Sequence, residues 1–307
     1  MTNDTTVTEF ILKGFSDTPE LGLISSAFFL FIYLFTLLGN TSIIAAVTRD
    51  RHLDTPMYFF LKNLSFLDMC YISITVPKAL INSFMGSGVI SFGECVAQLF
   101  SFVMLCASEC FLLTSMAYDH CLAIQRPLFY EIIMSKRLCA ELVIVAWLSG
   151  VFYAIFHTTS TFSLLFCGPN IIDHFFCDSS PIMRLSCSDA LTNEEVEFAV
   201  GGCIILSACA LTIISYVLII STIAQIHSAE GRWKAFSTCS SHLITVILFY
   251  VTGSFAYLRP SSHYSPTQGR LVSVCYTIIT PSLNPVVYSL RNKDMQVALK
   301  KLFVPSK

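Results

Sequence analysis

Seven long apolar stretches divide the chain, at roughly 23–48, 56–80, 95–121, 140–165, 197–225, 235–258 and 270–290. A helix needs about 20 mostly apolar residues to cross a bilayer. Only helices and closed barrels satisfy their backbone in lipid. These runs are too long for barrel strands and do not alternate, so helices are predicted. The pattern predicts an all-α membrane protein, a seven-transmembrane helix bundle. It divides into a polar tail at 1–22, a transmembrane domain at 23–290 with a long connection at 166–196, and a tail at 291–307.

Charge gives the bundle a direction. The connections after spans one, three and five and the last tail hold twelve basic residues: Arg49, Arg51, Arg126, Lys136, Arg137, Arg232, Lys234, Arg291, Lys293, Lys300, Lys301 and Lys307. The other side holds five, Lys13, Lys78, Arg184, Arg259 and Arg270. The positive-inside rule places the first set in the cytoplasm and the N-terminus outside. Asn3-Asp4-Thr5 then reads as a glycosylation acceptor on an exposed tail. Asn40-Thr41-Ser42 matches too, but lies inside span one. The first 20 residues lack the apolar core of a signal peptide, so span one is expected to stay uncleaved.

Composition narrows the class. The chain is 54% hydrophobic and 12% charged, with a net charge of −2. Soluble domains carry about 25% charged residues. No basic tract suggests nucleic acid. Of 13 cysteines, four lie at or between the ends of apolar runs: Cys95, Cys167, Cys177 and Cys187. All four fall on the oxidising side, where disulfides persist, and spacing alone leaves three pairings open. Asp173, Asp178, Asp189, Glu194, Glu195 and Glu197 make the long connection and the start of span five acidic, which reads mainly as a solvated surface. After span seven, Met295, Leu299, Leu302 and Phe303 recur at helical spacing among lysines, predicting an amphipathic helix on the inner leaflet. No cysteine follows Cys275 to carry a palmitoyl anchor there.

Other classes fit less well. The two halves show no similarity of the kind transporters carry. H-E-x-x-H and G-x-S-x-G are absent, so no enzyme is expected. Cys239-x-x-His242 and His174-x-x-Cys177 have metal-like spacing, but two ligands are a weak signal.

Several segments carry a resemblance. Pro56-Met57-Tyr58-Phe59-Phe60-Leu61 opens span two, and Met116-Ala117-Tyr118-Asp119 ends span three. Ser215-Tyr216 lies in span five, and Lys234-Ala235-Phe236-Ser237-Thr238-Cys239-Ser240-Ser241-His242-Leu243 opens span six. Asn284-Pro285-Val286-Val287-Tyr288 closes span seven. Together they resemble the vertebrate olfactory receptors, in the tetrapod-type branch of that family, within the rhodopsin-like G-protein-coupled receptors. The resemblance implies disulfides Cys95–Cys177 and Cys167–Cys187. It implies small volatile ligands and a stimulatory, olfactory-type G protein that raises cyclic AMP. It also implies the plasma membrane of olfactory neuron cilia; a same-fold receptor for a metabolite outside the nose is the alternative.

The same resemblance assigns roles. Phe102, Val103, Cys106 and Ala107 share one face of span three, and by resemblance that face lines a ligand pocket. Partners are expected from His157, Val200, Ile204, Tyr250, Ser254, Tyr257 and Thr277, with no charge at pocket depth. Asp119, His120, Tyr216, Lys234, His242, Asn284, Pro285 and Tyr288 are expected to couple ligand to G protein. Asp68 and Glu109 sit near mid-bilayer, where acids are costly. Either each is protonated or hydrogen-bonded to neighbours such as Asn284, or the two share a sodium ion. No other cofactor is expected. The chain departs from the family at Asp119-His120-Cys121, where most members have Asp-Arg-Tyr. An imidazole holds a neighbouring carboxylate less firmly than a guanidinium, so a weaker lock or weaker coupling is expected. Val251, where glycine commonly follows the Phe-Tyr pair, is expected to alter span six near its bend.

Overall fold

The computed structural model describes residues 7–14, 19–85, 87–167, 169–257 and 266–303. Asn3, Arg259 and Lys307 lie outside the described residues, as do the side chains of Lys234 and Tyr257. The spans run Pro19–Arg49, Pro56–Met85, Phe92–Gln125, Lys136–Phe162, Leu191–Ala224 and Ala229–Tyr257. Span seven runs Pro266–Val274, passes through a π-turn at Cys275–Ile279 and continues as Thr280–Arg291.

Several spans outrun their apolar stretches because capping chemistry extends them. Ser91 and Glu94 form a capping box that starts span three. The Ser135 hydroxyl accepts the Leu138 N–H and starts span four on the polar side of the membrane. Span five begins at Leu191, so Glu194 and Glu195 belong to a helix rather than to the connection, and Glu197 lies within the helix rather than at its start. Phe31, Leu34 and Leu38 of span one stay exposed. That is the outward apolar surface a bilayer would cover.

Two breaks depart from the expected pattern. Span six bends by 45° between Ala229–Ser237 and Cys239–Phe255, near its inner end. The bend is therefore not near Val251, which is exposed on the outer part of the span. In span seven the π-turn precedes Pro281. A proline ring clashes with the carbonyl four residues earlier, and a widened turn relieves that clash.

Glycines set the closest approaches. A Cβ on Gly150 of span four would overlap the Ser108 hydroxyl and lie 2.5 Å from the Met104 carbonyl of span three. A Cβ on Gly39 of span one would lie 2.9 Å from the Pro285 ring of span seven.

The outer end is capped. Strand β1 (Glu9–Leu12) pairs antiparallel with β2 (Val89–Ser91) and parallel with β3 (Ile171–Ile172), giving the order β2-β1-β3. Phe10 of β1 is fully buried against Phe92 and Phe166. The N-terminal segment is thus part of a lid rather than a free tail. Cys95 and Cys177 are joined, with Cα atoms 5.5 Å apart, and so are Cys167 and Cys187, at 5.7 Å. At the inner end the last helix, Lys293–Phe303, buries Met295 and Ala298 against the bundle, while Phe303 stays exposed. Lys301 ties it to Asp50 at 2.9 Å, and the Tyr58 hydroxyl reaches Asn292 Oδ1 at 3.0 Å. Its apolar face is therefore divided between protein and surroundings.

Candidate functional site

Three layers along the bundle hold the polar groups. In the outer layer, the segment after β3 folds inward. Phe176 lies 4.9 Å from Phe102, which also packs on Tyr71 at 5.1 Å and Tyr276 at 5.9 Å. Phe102 is fully buried in this aromatic group rather than open to a cleft. His174 Nε2 is 2.9 Å from the Ser273 hydroxyl of span seven, and its ring stacks on Phe175. Burial pushes the His174 imidazole down to about 3. His174 is thus committed to span seven and Cys177 to its disulfide, so their metal-like spacing has a structural cause. Asp178 caps a short helix, Ser179–Met183, by accepting the Ser179 N–H at 2.9 Å. Desolvation pushes the Asp178 carboxyl up to about 6.

The other expected ligand residues are placed as follows. Val103, Ala107, His157 and Thr277 are buried, and Thr277 is turned onto its own helix by a 2.6 Å bond to Ser273 O. Cys106, Val200, Ile204, Tyr250 and Ser254 are half-buried. The Tyr250 hydroxyl lies 3.6 Å from Cys110 Sγ, one turn inward of Cys106. A separate outer cleft, lined by Leu12, Ser26, Phe29, Ala79 and Ser83, lies between spans one and two and holds none of the expected ligand set.

A buried acid–base pair corrects the reading of an uncharged outer half and a solvated acidic run. His157 Nε2 lies 3.1 Å from Glu197 Oε2, and each side chain is only 7% exposed. Thr161 Oγ1 donates to Glu197 Oε1 at 3.1 Å. A signal for this was present in the helical phase. Glu197, Gly201, Ala208, Thr212, Ser215 and Ile219 form one inward face of span five, whereas Glu195 falls off it and is exposed.

In the middle layer, Asn284 Nδ2 donates to both oxygens of Asp68, at 3.2 and 3.0 Å. Asp68, Glu109, Asn40 and Asn284 are all buried. Asn40 Oδ1, Glu109 Oε1 and Asn284 Oδ1 have no hydrogen-bond partner among the described residues.

In the inner layer, Asp119 is not held by its neighbour His120. Its carboxylate accepts the Tyr130 hydroxyl at 2.7 Å. His120 instead packs against His242 of span six, with ring centroids 5.2 Å apart. His242 is fully buried. Its Nδ1 lies 2.8 Å from the Tyr216 hydroxyl of span five, and its Nε2 3.1 Å from Leu113 O of span three. Both His242 nitrogens are therefore engaged, which also accounts for the Cys239-x-x-His242 spacing without a metal. Tyr288 is buried nearby on span seven.

Residues 29–306 match the olfactory receptor family. The human protein named olfactory receptor 8U9 is 47% identical, over 98% of each chain. The mouse protein named olfactory receptor 5AP2 is 49% identical, over 98% of this chain and 95% of its own. Among solved structures, squid rhodopsin superposes with a TM-score of 0.69 over 93% of this chain and 81% of its own, at 19% identity, which establishes the shared seven-helix fold. The capped outer end, the acid-bearing middle and the histidine-linked inner end are thus those of a membrane receptor, and the chain belongs to the olfactory receptor family.

Proposed function

We propose that this receptor binds small, mostly apolar volatile ligands in the outer half of the bundle and activates a stimulatory, olfactory-type G protein, raising cyclic AMP. The observation that carries the coupling part is the inner contact set: Tyr216, His242, His120 and Leu113 O join spans five, six and three by hydrogen bonds and ring contact. Outward movement of the inner end of span six would break that set, giving the two-packing element that a switch requires. The 45° bend beside Cys239 offers a hinge next to it. Residence in the plasma membrane of sensory cilia, contact of the last helix with lipid, and glycosylation at Asn3 belong to the same reading.

The test is a cyclic-AMP screen of surface-expressed receptor against a broad odorant panel, with and without the olfactory G protein. Responses that need the co-expressed G protein are expected. Silence across the panel despite confirmed surface expression would reject the reading.

A sodium ion in the middle layer belongs to the proposal. A hard cation takes oxygen ligands, and the orphaned buried oxygens of Asn40, Glu109 and Asn284, beside Asp68, are of the right kind. Such an ion would hold the inactive packing, so raised sodium is expected to weaken agonist potency. Glu109→Gln is expected to remove that sensitivity; a mutant as sodium-sensitive as the wild type would reject the ion.

A further inference from the structure

Glu197 uses both carboxylate oxygens inside the protein, one on Thr161 and one on His157 Nε2. In its ionised form Glu197 only accepts hydrogen bonds, which puts the His157 proton on Nε2. A buried imidazole is mostly uncharged at neutral pH and has a single N–H, which leaves Nδ1 with a lone pair. That Nδ1 is buried and has no partner among the described residues; the adjacent Thr158 hydroxyl has none either. Buried polar atoms are nearly always paired, so an orphaned acceptor at a receptor's outer end asks for a donor from outside the protein.

The pair borders the expected ligand region. Gly150 fixes the face of span four that meets span three, and His157 lies seven residues further out, two helical turns along that face. Tyr153, one turn inward, has its ring 5.6 Å from His157. It lies within electrostatic reach of both Glu197 and Cys106, one of the span-three residues expected to line the pocket. Gly201 of span five leaves room for its hydroxyl, since a Cβ there would stand 2.6 Å away.

We infer that His157 Nδ1, fixed as an acceptor by Glu197, is the polar anchor for a ligand that donates a hydrogen bond: an alcohol or phenol whose hydrocarbon part lies against Val103, Cys106 and Ala107. This rests on the odorant-binding reading above. Glu197 also lies in reach of Asp178 and Glu194, a concentration of acids that repels carboxylic-acid ligands. With a charged His157, Nδ1 would carry a hydrogen and select carbonyl ligands, so the two protonation states call for opposite odorants.

The full-length receptor, surface-expressed with the G protein, is given matched sets: alcohols and phenols, their methyl ethers, and the corresponding ketones. Alcohols are expected to be about tenfold more potent than their ethers, the worth of one buried hydrogen bond. His157→Phe keeps ring volume but lacks the acceptor; it is expected to weaken alcohols about tenfold more than ethers. His157→Asn, whose carbonyl stands near the Nδ1 position, is expected to keep the preference. An unchanged alcohol-to-ether ratio in surface-expressed His157→Phe would overturn the assignment while leaving odorant binding intact. So would a wild type that prefers ketones. Silence of the wild type toward every set would overturn the odorant-binding reading and this assignment with it.

Discussion

Asp178 follows the Cys177 bridge directly, and its carboxyl meets conflicting demands. It caps the Ser179–Met183 helix, yet desolvation raises it to about 6. An acid raised in the fold contributes most when protonated: the contribution is full below its ordinary value of 3.8 and is lost as pH rises through about 6. Asp178→Asn keeps an uncharged side chain and an acceptor for the Ser179 N–H. It is expected to melt above the wild type near pH 7 and level with it near pH 4, in thermal denaturation of detergent-purified receptor. His120 carries a second prediction. Its ring contact with His242 joins spans three and six, and His120→Arg removes it while adding a cation that competes with Tyr130 for Asp119. Basal cyclic AMP is expected to rise about threefold or more, the worth of one ring pair. An unchanged basal signal at equal surface expression would mean that the contact does not restrain the switch. Sequence marked His120 as a departure but paired it with Asp119, whereas consecutive side chains on a helix do not face each other and the two find different partners.

Helix positions were legible because apolar length is dictated by the bilayer, and the ends were not, because capping side chains extend helices into polar surroundings. Glu197 shows the cost of a misplaced end. As the first residue of the apolar run it reads as solvated; given Leu191 as the helix start, it falls on the buried face with Gly201. The span-seven π-turn answers a local backbone clash at Pro281, which the hydrophobic pattern does not encode, and the same pattern is silent on the inner bend of span six. Spans three and four illustrate packing between elements. Gly150 admits the Ser108 hydroxyl and Met104 carbonyl, so Gly150→Ala forces the two helices apart. A loss of about 1–3 kcal/mol is expected, read as a lowered melting temperature, with Gly253→Ala as a control where a Cβ meets nothing within 4 Å.

Taken whole, the molecule separates a covalently fastened outer end from a non-covalent inner one. Two disulfides and a three-stranded sheet hold the outer loops, whereas hydrogen bonds and ring contacts hold the inner ends of spans three, five and six. Ligand energy delivered at the stapled end would therefore be expressed where the bundle gives way. The bundle itself was plain in the sequence, and the cysteine pairing was legible only through family likeness, since four cysteines on one side allow three arrangements.

Strand β1 has a consequence for how the protein is made. It is made before both of its partners: one edge can pair with Val89–Ser91 once span two has been inserted, but the other must wait for Ile171–Ile172, which follows span four. The earliest of the three strands to be made is thus completed only when the latest has arrived. Phe10→Ala, which empties the slot between Phe92 and Phe166, is expected to cost about 3 kcal/mol. It should lengthen retention in the secretory pathway, measured by pulse-chase against surface biotinylation. Normal transit of the mutant would show that nascent receptors leave without a closed lid.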